Sequence, residues 1–166
     1  MFKPSLQQQV NEFQIASWVQ GLAPWSVIAH MTFKYDRGCS LDSAQRLYER
    51  FMQKNLSDVS YFYAIEENPS RDGHHIHALW AESSEGGQVV RRSDMWKRWF
   101  TTYGRNRIEP VRSHHDVSGY CSKYVSKDCF QRGWWNVKIN SPDLWHQHKA
   151  SPADKGDRTL RVLCVE

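Results

Sequence analysis

The segment "VSYFYAIEENPSRDGHHIHALWAE", residues 59–82, determines the class of fold that the chain is expected to adopt. Its first part, "VSYFYAIE", is rich in the β-branched and aromatic residues that are typical of strands. "ENPSRDG" concentrates turn-forming residues, and "HHIHALWAE" predicts a second strand. Only antiparallel strands can be joined by so short a connection, so the segment predicts a β-hairpin.

The flanking segments place this hairpin in an alternating series of helices and strands. "SLQQQVNEFQIASWVQGL" predicts a helix, "WSVIAHMTFKY" a strand and "SLDSAQRLYERFMQKNL" an amphipathic helix. "SDMWKRWFTTY" predicts a helix with Ser93 or Asp94 near its cap and Gly104 just past its end. "NRIEPVR" predicts an edge strand because of Pro110, "DVSGYCSKYVSK" a helix capped by Asp116, and "WWNVKI" and "RTLRVLCV" further strands. We therefore expect an α+β fold, with a central antiparallel sheet and flanking helices on one face, rather than a doubly wound parallel sheet.

The composition is that of an ordinary globular protein with a mildly basic surface. A chain of 166 residues suits one domain, and a net charge of +4 permits an anionic partner without requiring one. The four cysteines form no C-x-x-C pair, so a thiolate zinc site is not expected. Residues 1–20 lack the features of a signal peptide and no stretch has the length of a membrane span, so we expect a cytoplasmic protein with free thiols and no membrane partner.

Two histidines of the second hairpin strand form a candidate metal site. Alternate residues of a strand share a face, so His75 and His77 point the same way, and the preceding strand brings Glu66 or Glu67 to the same end of the hairpin. Two imidazoles and a carboxylate suit Mn²⁺ or Zn²⁺ and leave positions for water or substrate. An H-x-H pattern arises by chance in roughly a third of chains with eight histidines. A solvent-facing or hydrogen-bonded pair at a strand end is therefore the alternative.

The segment "YCSKYVSK", residues 120–127, places tyrosines and lysines on one helical stripe. Tyr120, Lys123, Tyr124 and Lys127 follow the spacing i, i+3, i+4 and i+7. Phenols interleaved with ammonium groups suit a phosphate, because the cations supply positive charge and favour the phenolate. The alternative is a structural helix, in which the tyrosines pack on the core and the lysine stems extend to solvent.

Taken together, these motifs resemble those of the HUH endonuclease superfamily, and most nearly its two-tyrosine rolling-circle replication initiators. "VIAHMTF" resembles the first motif of the family, "HIH" the second and the Tyr120–Lys123–Tyr124 pattern the third. The resemblance covers about residues 25–128, which would form the core of a single domain spanning 1–166, and it implies a ferredoxin-like sheet. It leaves the role of residues 129–166 open. The sequence departs from the family at His30, where a less basic residue is usual.

The resemblance implies metal-dependent, sequence-specific nicking and joining of single-stranded DNA through a 5′-phosphotyrosine intermediate. Mn²⁺ or Mg²⁺ would be held by His75, His77 and Glu66, which we prefer to Glu67 because a family acidic residue closes the apolar run at this place. Tyr120 or Tyr124 would attack the phosphorus. Lys123 would neutralise the charge that develops on the phosphate.

The same resemblance implies the partners. The chain has no phosphate-binding G-x-x-x-x-G-K-[ST] motif, so we expect no nucleotide cofactor and a separate helicase, in a bacterial or archaeal host. Candidate platforms for unpaired bases are Trp96, Trp99, Trp134 and Trp135. The alternative for Trp96 and Trp99 is that they belong to the core. The basic residues expected to contact DNA, unless they form only a solvated face, are Lys127, Arg91, Arg92, Arg98, Arg105 and Arg107.

Two alternatives to a replication initiator remain at this point. One is a transposase or conjugative relaxase of the same superfamily, with the same chemistry and a different task. The other is a non-catalytic DNA-binding or structural protein in which the histidine cluster and the tyrosine helix are coincidental.

Overall fold

The computed structural model describes residues 6–34, 39–69, 71–82, 89–124, 132 and 134–140. The predicted final strand "RTLRVLCV" therefore lies outside the described residues. In chain order the elements are α1 (Leu6–Leu22), β1 (Val27–Thr32), α2 (Leu41–Asn55), β2 (Ser60–Glu67), β3 (His74–Ala81), α3 (Arg92–Thr102), β4 (Asn106–Pro110), α4 (His114–Tyr124) and β5 (Trp135–Lys138).

The five strands form one sheet in the order β4-β1-β3-β2-β5, and every pairing is antiparallel. The unit β1-α2-β2-β3-α3-β4 thus has the strand order of a ferredoxin-like fold, with β5 added beside β2. This confirms the predicted α+β class with a central antiparallel sheet. It also confirms that the strand containing Pro110 lies at the edge, where its missing N–H costs no ladder hydrogen bond.

The hairpin between β2 and β3 sets the register on which the candidate site depends. The backbone N–H of Asn68 donates to the carbonyl of Gly73 at 2.9 Å and closes the turn. Gly73 has a φ of 95°, and a Cβ there would lie 3.2 Å from the backbone nitrogen of Cys39, so a side chain would be strained in this position. The resulting register pairs Glu66 with His75.

Helices cover both faces of the sheet. Tyr48 and Phe51 of α2 and Trp99 of α3 pack in one cluster with the face of β3 that carries Ala78 and Trp80. Trp80 is also anchored there, because its indole N–H donates to the Tyr48 hydroxyl at 2.8 Å.

The opposite face is covered by α1 and α4, through Val19 and Val117 packed with Phe62 and Leu79. The expectation that the helices share one face holds for α2 and α3 but is wrong for α1 and α4. The physical reason is that almost every residue of β3 is buried, so both faces of the sheet require cover.

The beginnings of α3 and α4 can be compared with the sequence prediction. The N-cap residue of α3 is Arg91, which makes no side-chain capping hydrogen bond, and Ser93 and Asp94, predicted near the cap, lie in the first turn. In α4, Asp116 lies in the first turn, where its carboxylate accepts from the backbone N–H of Ser113 at 3.0 Å while the Ser113 hydroxyl accepts from the N–H of Asp116 at 3.3 Å. This reciprocal arrangement is a capping box, so the predicted cap at Asp116 lies three residues too late. Among the described residues, no helix is long and apolar enough to cross a membrane.

Candidate metal centre

Four titratable side chains meet on the α1–α4 face of the sheet, contributed by three neighbouring strands. The register places His30 of β1 directly opposite His77 of β3, and Glu66 of β2 directly opposite His75. Residues paired across antiparallel strands project to the same face. His75 and His77 share that face because they are two residues apart on one strand.

The distances within this cluster suit a single cation. Candidate ligand nitrogens of His30, His75 and His77 all lie within 4.8 Å of one another. The Glu66 Oε2 atom is 3.4 Å from His75 Nε2 and 3.3 Å from His77 Nε2. Ligand atoms that surround one zinc-sized ion tetrahedrally stand roughly 3.3–3.6 Å apart. The two Glu66 distances match this spacing, whereas the histidine nitrogens, up to 4.8 Å apart, would have to draw closer to share an ion.

Burial makes the cluster costly without a counter-charge or an ion. Only 7% of His75 and 2% of His77 is exposed. The Nε2 atom of His30 is enclosed and has no hydrogen-bond partner within the described ranges. A buried polar atom without a partner is unusual in native proteins and points to an ion, a water or a functional role. A divalent cation would satisfy this atom.

His30 is held in the form that a metal requires. Burial, followed by the neighbouring His77 and His75, lowers the pKa of His30 to about 4, and Glu66 opposes the shift. His30 is therefore neutral at pH 7, with a lone pair available for coordination. The distances from Glu66 to His75 and His77 also suit an ion pair with a protonated imidazole, which is the non-metal interpretation of the same cluster.

Asn68 orients one of the candidate ligands. Its side-chain amide donates to the carbonyl of Asp72 at 3.2 Å, which turns the amide oxygen toward Nδ1 of His75 at 3.1 Å. An amide oxygen can only accept, so Nδ1 of His75 carries a proton; in the neutral ring the Nε2 lone pair then faces Glu66. Metal-binding histidines commonly have such a partner on the ring nitrogen that does not bind the ion.

The structure distinguishes the two candidate glutamates. Glu66 contacts both histidines, whereas the Glu67 side chain is 65% exposed and lies 3.7 Å from Arg132. Glu67 is opposite His74 in the register and faces away from the cluster. Glu66, not Glu67, therefore lies beside the candidate ligands, and its role as the acidic ligand stays a prediction.

The sequence pattern predicted His75, His77 and Glu66 as one group, and the structure adds His30 and Asn68 to this cluster. His30 lies in the strand of the first motif, but no local pattern indicates which residue of β1 lies opposite His77. Asn68 gave only a weak signal, because an asparagine just after a strand is also an ordinary turn residue.

The tyrosine helix approaches the cluster through Tyr120. The ring of Tyr120 lies 5.7 Å from the ring of His77, and its hydroxyl donates to the carbonyl of Ala29 at 2.9 Å. Lys123 and Tyr124 belong to the last turn of α4, but their side chains are not described, and Lys127 lies outside the described residues. The structure thus brings one of the two predicted tyrosines to the candidate metal centre.

Two of the predicted DNA-binding arginines lie near this face of the sheet. Arg107 is directly opposite His30 in the pairing of β1 with β4, and 72% of its side chain is exposed beside Glu109. A groove of about 430 Å³ between β4 and α4 is lined by Arg107, Arg112 and Tyr120, among others. The carbonyl of Arg105, just before β4, accepts from the backbone N–H and the hydroxyl of Thr32.

The other predicted DNA contacts are not brought to the candidate metal centre. Arg91, Arg92 and Arg98 belong to α3 or its cap, on the opposite side of the sheet. Trp99 is fully buried in the α2–α3 layer, so its interpretation as a platform for bases is wrong and the core alternative is right. Trp135 is half-buried against Trp18 and Phe62, and Trp134 is also half-buried, whereas Trp96 is 43% exposed.

No protein-family model, curated protein or solved structure matches this chain.

Proposed function

We propose that the protein is a metal-dependent, sequence-specific endonuclease and ligase of single-stranded DNA that resembles the HUH initiators of rolling-circle replication. The observation that carries this proposal is the meeting of His30, His75, His77 and Glu66 on one sheet face with Tyr120 alongside. The motif order of the sequence supports the same function.

Three histidines and a glutamate would hold Mn²⁺ or Mg²⁺ in this centre, with His30 as a ligand beyond the set expected from the sequence. When bound, such an ion stabilises negative charge on the oxygens of a phosphodiester. Asn68 keeps the Nε2 lone pair of His75 directed toward Glu66. The Glu66 carboxylate offsets part of the ionic charge, and the α1–α4 layer limits the access of water to the buried ligands.

A tyrosine of α4 serves as the nucleophile in this proposal. Its phenolic oxygen attacks the phosphorus, the bond from phosphorus to the 3′ oxygen breaks, and the 3′ oxygen leaves as a hydroxyl with the proton that the phenol gives up. Tyr120 would exchange its hydrogen bond to Ala29 for the phosphate. The reverse step joins strands without ATP, because the phosphotyrosine ester retains the energy of the phosphodiester.

The cluster also supports a second candidate, a non-catalytic DNA-binding protein. In that case Glu66 forms a buried ion pair with protonated His75 or His77 at the observed distances of 3.4 and 3.3 Å. A requirement for a divalent ion and a covalent adduct separates the two candidates.

The decisive experiment incubates the whole chain with Mn²⁺ and a random pool of single-stranded oligonucleotides, then sequences whatever becomes covalently attached. His77→Ala should abolish adduct formation. His74→Gln is the matched control, because His74 is on the same strand and its ring is held by the Cys39 carbonyl away from the cluster. Adducts that form equally in His77→Ala with the ion chelated, or no adduct from any protein, would overturn the proposal.

The two tyrosines are tested in the same assay. If they act in turn, Tyr120→Phe and Tyr124→Phe each retain some adduct and only the double variant has none. Trypsin cleaves after Lys123 and Lys127, so mass spectrometry assigns the adduct to one tyrosine or the other. An adduct on a single tyrosine, with the other variant fully active in cutting and joining, would instead favour a transposase or relaxase.

A further inference from the structure

A basic groove lies between α2 and α3, on the side of the sheet opposite the candidate metal centre. It has a volume of about 620 Å³. Four cations line it, Arg50, Lys54, Lys97 and Arg98, against the single carboxylate of Asp94. The charge difference is therefore four minus one, or +3, within one concave surface. A concave surface with charge of one sign concentrates ligands of the opposite sign.

The cations of this groove are available to a ligand. Within the described part of the chain, Arg50, Lys54 and Lys97 form no ion pair. Arg98 donates to the side-chain oxygen of Asn55 at 3.2 Å, which directs it across the groove from α3 to α2. Guanidinium and ammonium groups bind phosphate oxygens through charge-assisted hydrogen bonds.

An exposed aromatic pair on α3 indicates what kind of polyanion the groove accepts. The rings of Trp96 and Phe100 stack at 4.9 Å with an angle of 8°, although 43% and 47% of these residues is exposed. Lys97 follows Trp96 directly in the helix and lines the groove. Unpaired bases stack on such aromatic surfaces, whereas an acidic peptide has no comparable use for them.

The edge strand β4 connects this surface to the candidate metal centre. Arg107 of β4 is exposed on the metal-centre face, opposite His30. Strand β4 also contacts α3 directly, because the side-chain amide of Asn106 donates a hydrogen bond to the backbone carbonyl of Trp96 at 2.9 Å. A strand that leaves the metal centre past Arg107 therefore reaches the aromatic pair after crossing one β-strand.

We propose that a single strand of nucleic acid, with one part at the metal centre, wraps around the β4 edge, stacks bases on Trp96 and Phe100 and places its backbone phosphates in the α2–α3 groove. This inference rests on the proposed function only for the part of the strand at the metal centre. The groove then holds nucleotides away from the scissile phosphate, so it contributes affinity without touching the reacting atoms.

The test measures fluorescence anisotropy of labelled oligothymidylates of increasing length with the whole chain, in the presence of a chelator. For the native protein, affinity and its salt dependence should rise with length until the strand spans from the metal centre to the groove. The double variant Lys54→Gln, Lys97→Gln should lower the slope of log K against log[salt] by about 1.4 for long oligothymidylates, since each phosphate contact with a single strand contributes about 0.7.

An independent variant tests the aromatic pair. Trp96→Ala should weaken binding of long oligothymidylates roughly fivefold or more, from the usual contribution of one stacked base. Trp96 is exposed, so its loss should leave the fold intact, and Phe100→Ala should act in the same direction. Affinity for long strands that is unchanged in the lysine pair and in Trp96→Ala would overturn the proposal.

The matched control removes the same charge elsewhere, with Arg46→Gln on α2 and Lys138→Gln on β5, both exposed and outside the groove. An equal loss in this control would mean that only the overall charge matters, and it would overturn the groove as a site. Competition by polyglutamate as strong as that by oligothymidylate would assign the groove to an acidic protein instead. The assay needs neither metal nor cleavage. It therefore tests binding to the groove even if the proposed nuclease activity proves absent.

Discussion

The substitution His30→Phe separates the energetic cost of burying the Nε2 atom of His30 from the contribution of this atom to metal binding. Phenylalanine keeps a flat ring that can stack on His77, as His30 does with a centroid distance of 4.4 Å, but it removes both ring nitrogens. The enclosed Nε2 of His30 has no partner among the described residues, and a buried polar atom left unsatisfied costs about 1–3 kcal/mol. The metal-free variant should therefore be more stable than the native protein by about this amount.

The same substitution should weaken the response to metal. With free Mn²⁺ at about 100 times its dissociation constant, binding stabilises the native protein by about 2.7 kcal/mol. Loss of a ligand should lower affinity by at least the roughly 10- to 100-fold seen when an outer partner is removed. At the same Mn²⁺ concentration, the stabilisation of the variant by bound Mn²⁺ then falls to about 1.4 kcal/mol or less.

Thermal unfolding with chelator and with Mn²⁺ measures both effects. For a chain of this size, 1 kcal/mol corresponds to about 2–4 °C in Tm. The control His74→Phe should instead lower the metal-free Tm, because it loses the hydrogen bond to the Cys39 carbonyl, and should leave the gain from Mn²⁺ intact. The reasoning would be refuted by a His30→Phe variant that is less stable without metal and gains as much from Mn²⁺ as the native protein.

Three further predictions concern Asn68, the pKa of His30 and the packing of Gly104. Asn68→Leu should lower the affinity for Mn²⁺ roughly 10- to 100-fold, as measured by calorimetric titration. Asn68→Asp can still accept a hydrogen bond from His75 and should retain the affinity. Equal affinities of the two variants would show that Asn68 does not support the site. Folding lowers the pKa of His30 from 6.5 to about 4, so the unfolded chain binds more protons between these values. The metal-free protein should therefore lose stability in denaturant titrations as the pH falls through this window, and a profile that His30→Phe does not flatten would contradict this. Gly104→Ala should cost about 1–3 kcal/mol of unfolding free energy, because its Cβ would lie 2.5 Å from the Thr32 carbonyl oxygen; a neutral effect would show that the end of β1 can yield.

Local patterns were sufficient for most of the secondary structure. The hairpin of residues 59–82, the amphipathic α2 and the edge position of β4 follow from side-chain periodicity and from the fixed dihedral preferences of glycine and proline, which act within a few residues. The shared face of His75 and His77 follows from the two-residue repeat of a strand in the same way. These features required no knowledge of distant parts of the chain.

The first residues of the helices and the placement of helices on the two faces of the sheet were harder to predict from the sequence. Helix α3 begins at Arg92 without a side-chain capping hydrogen bond, so a capping pattern could place its start only to within a few residues. The position of α1 and α4 on the second face depends on the balance of buried area over the whole sheet.

What the sequence by itself determined is therefore the element order, the antiparallel hairpin and the pairing of two histidines with an acidic residue at its end. Only the tertiary structure decided that His30 joins them, because the β1–β3 register joins residues 30 and 77 across a long stretch of chain. That register is selected by the simultaneous burial of both sheet faces, since a shift of one residue would turn His30 toward the α2–α3 core. The tertiary structure also decided that Arg98 and Arg107 lie on opposite sides of the sheet. They belong to α3 and β4, which follow each other in the chain but lie in different layers.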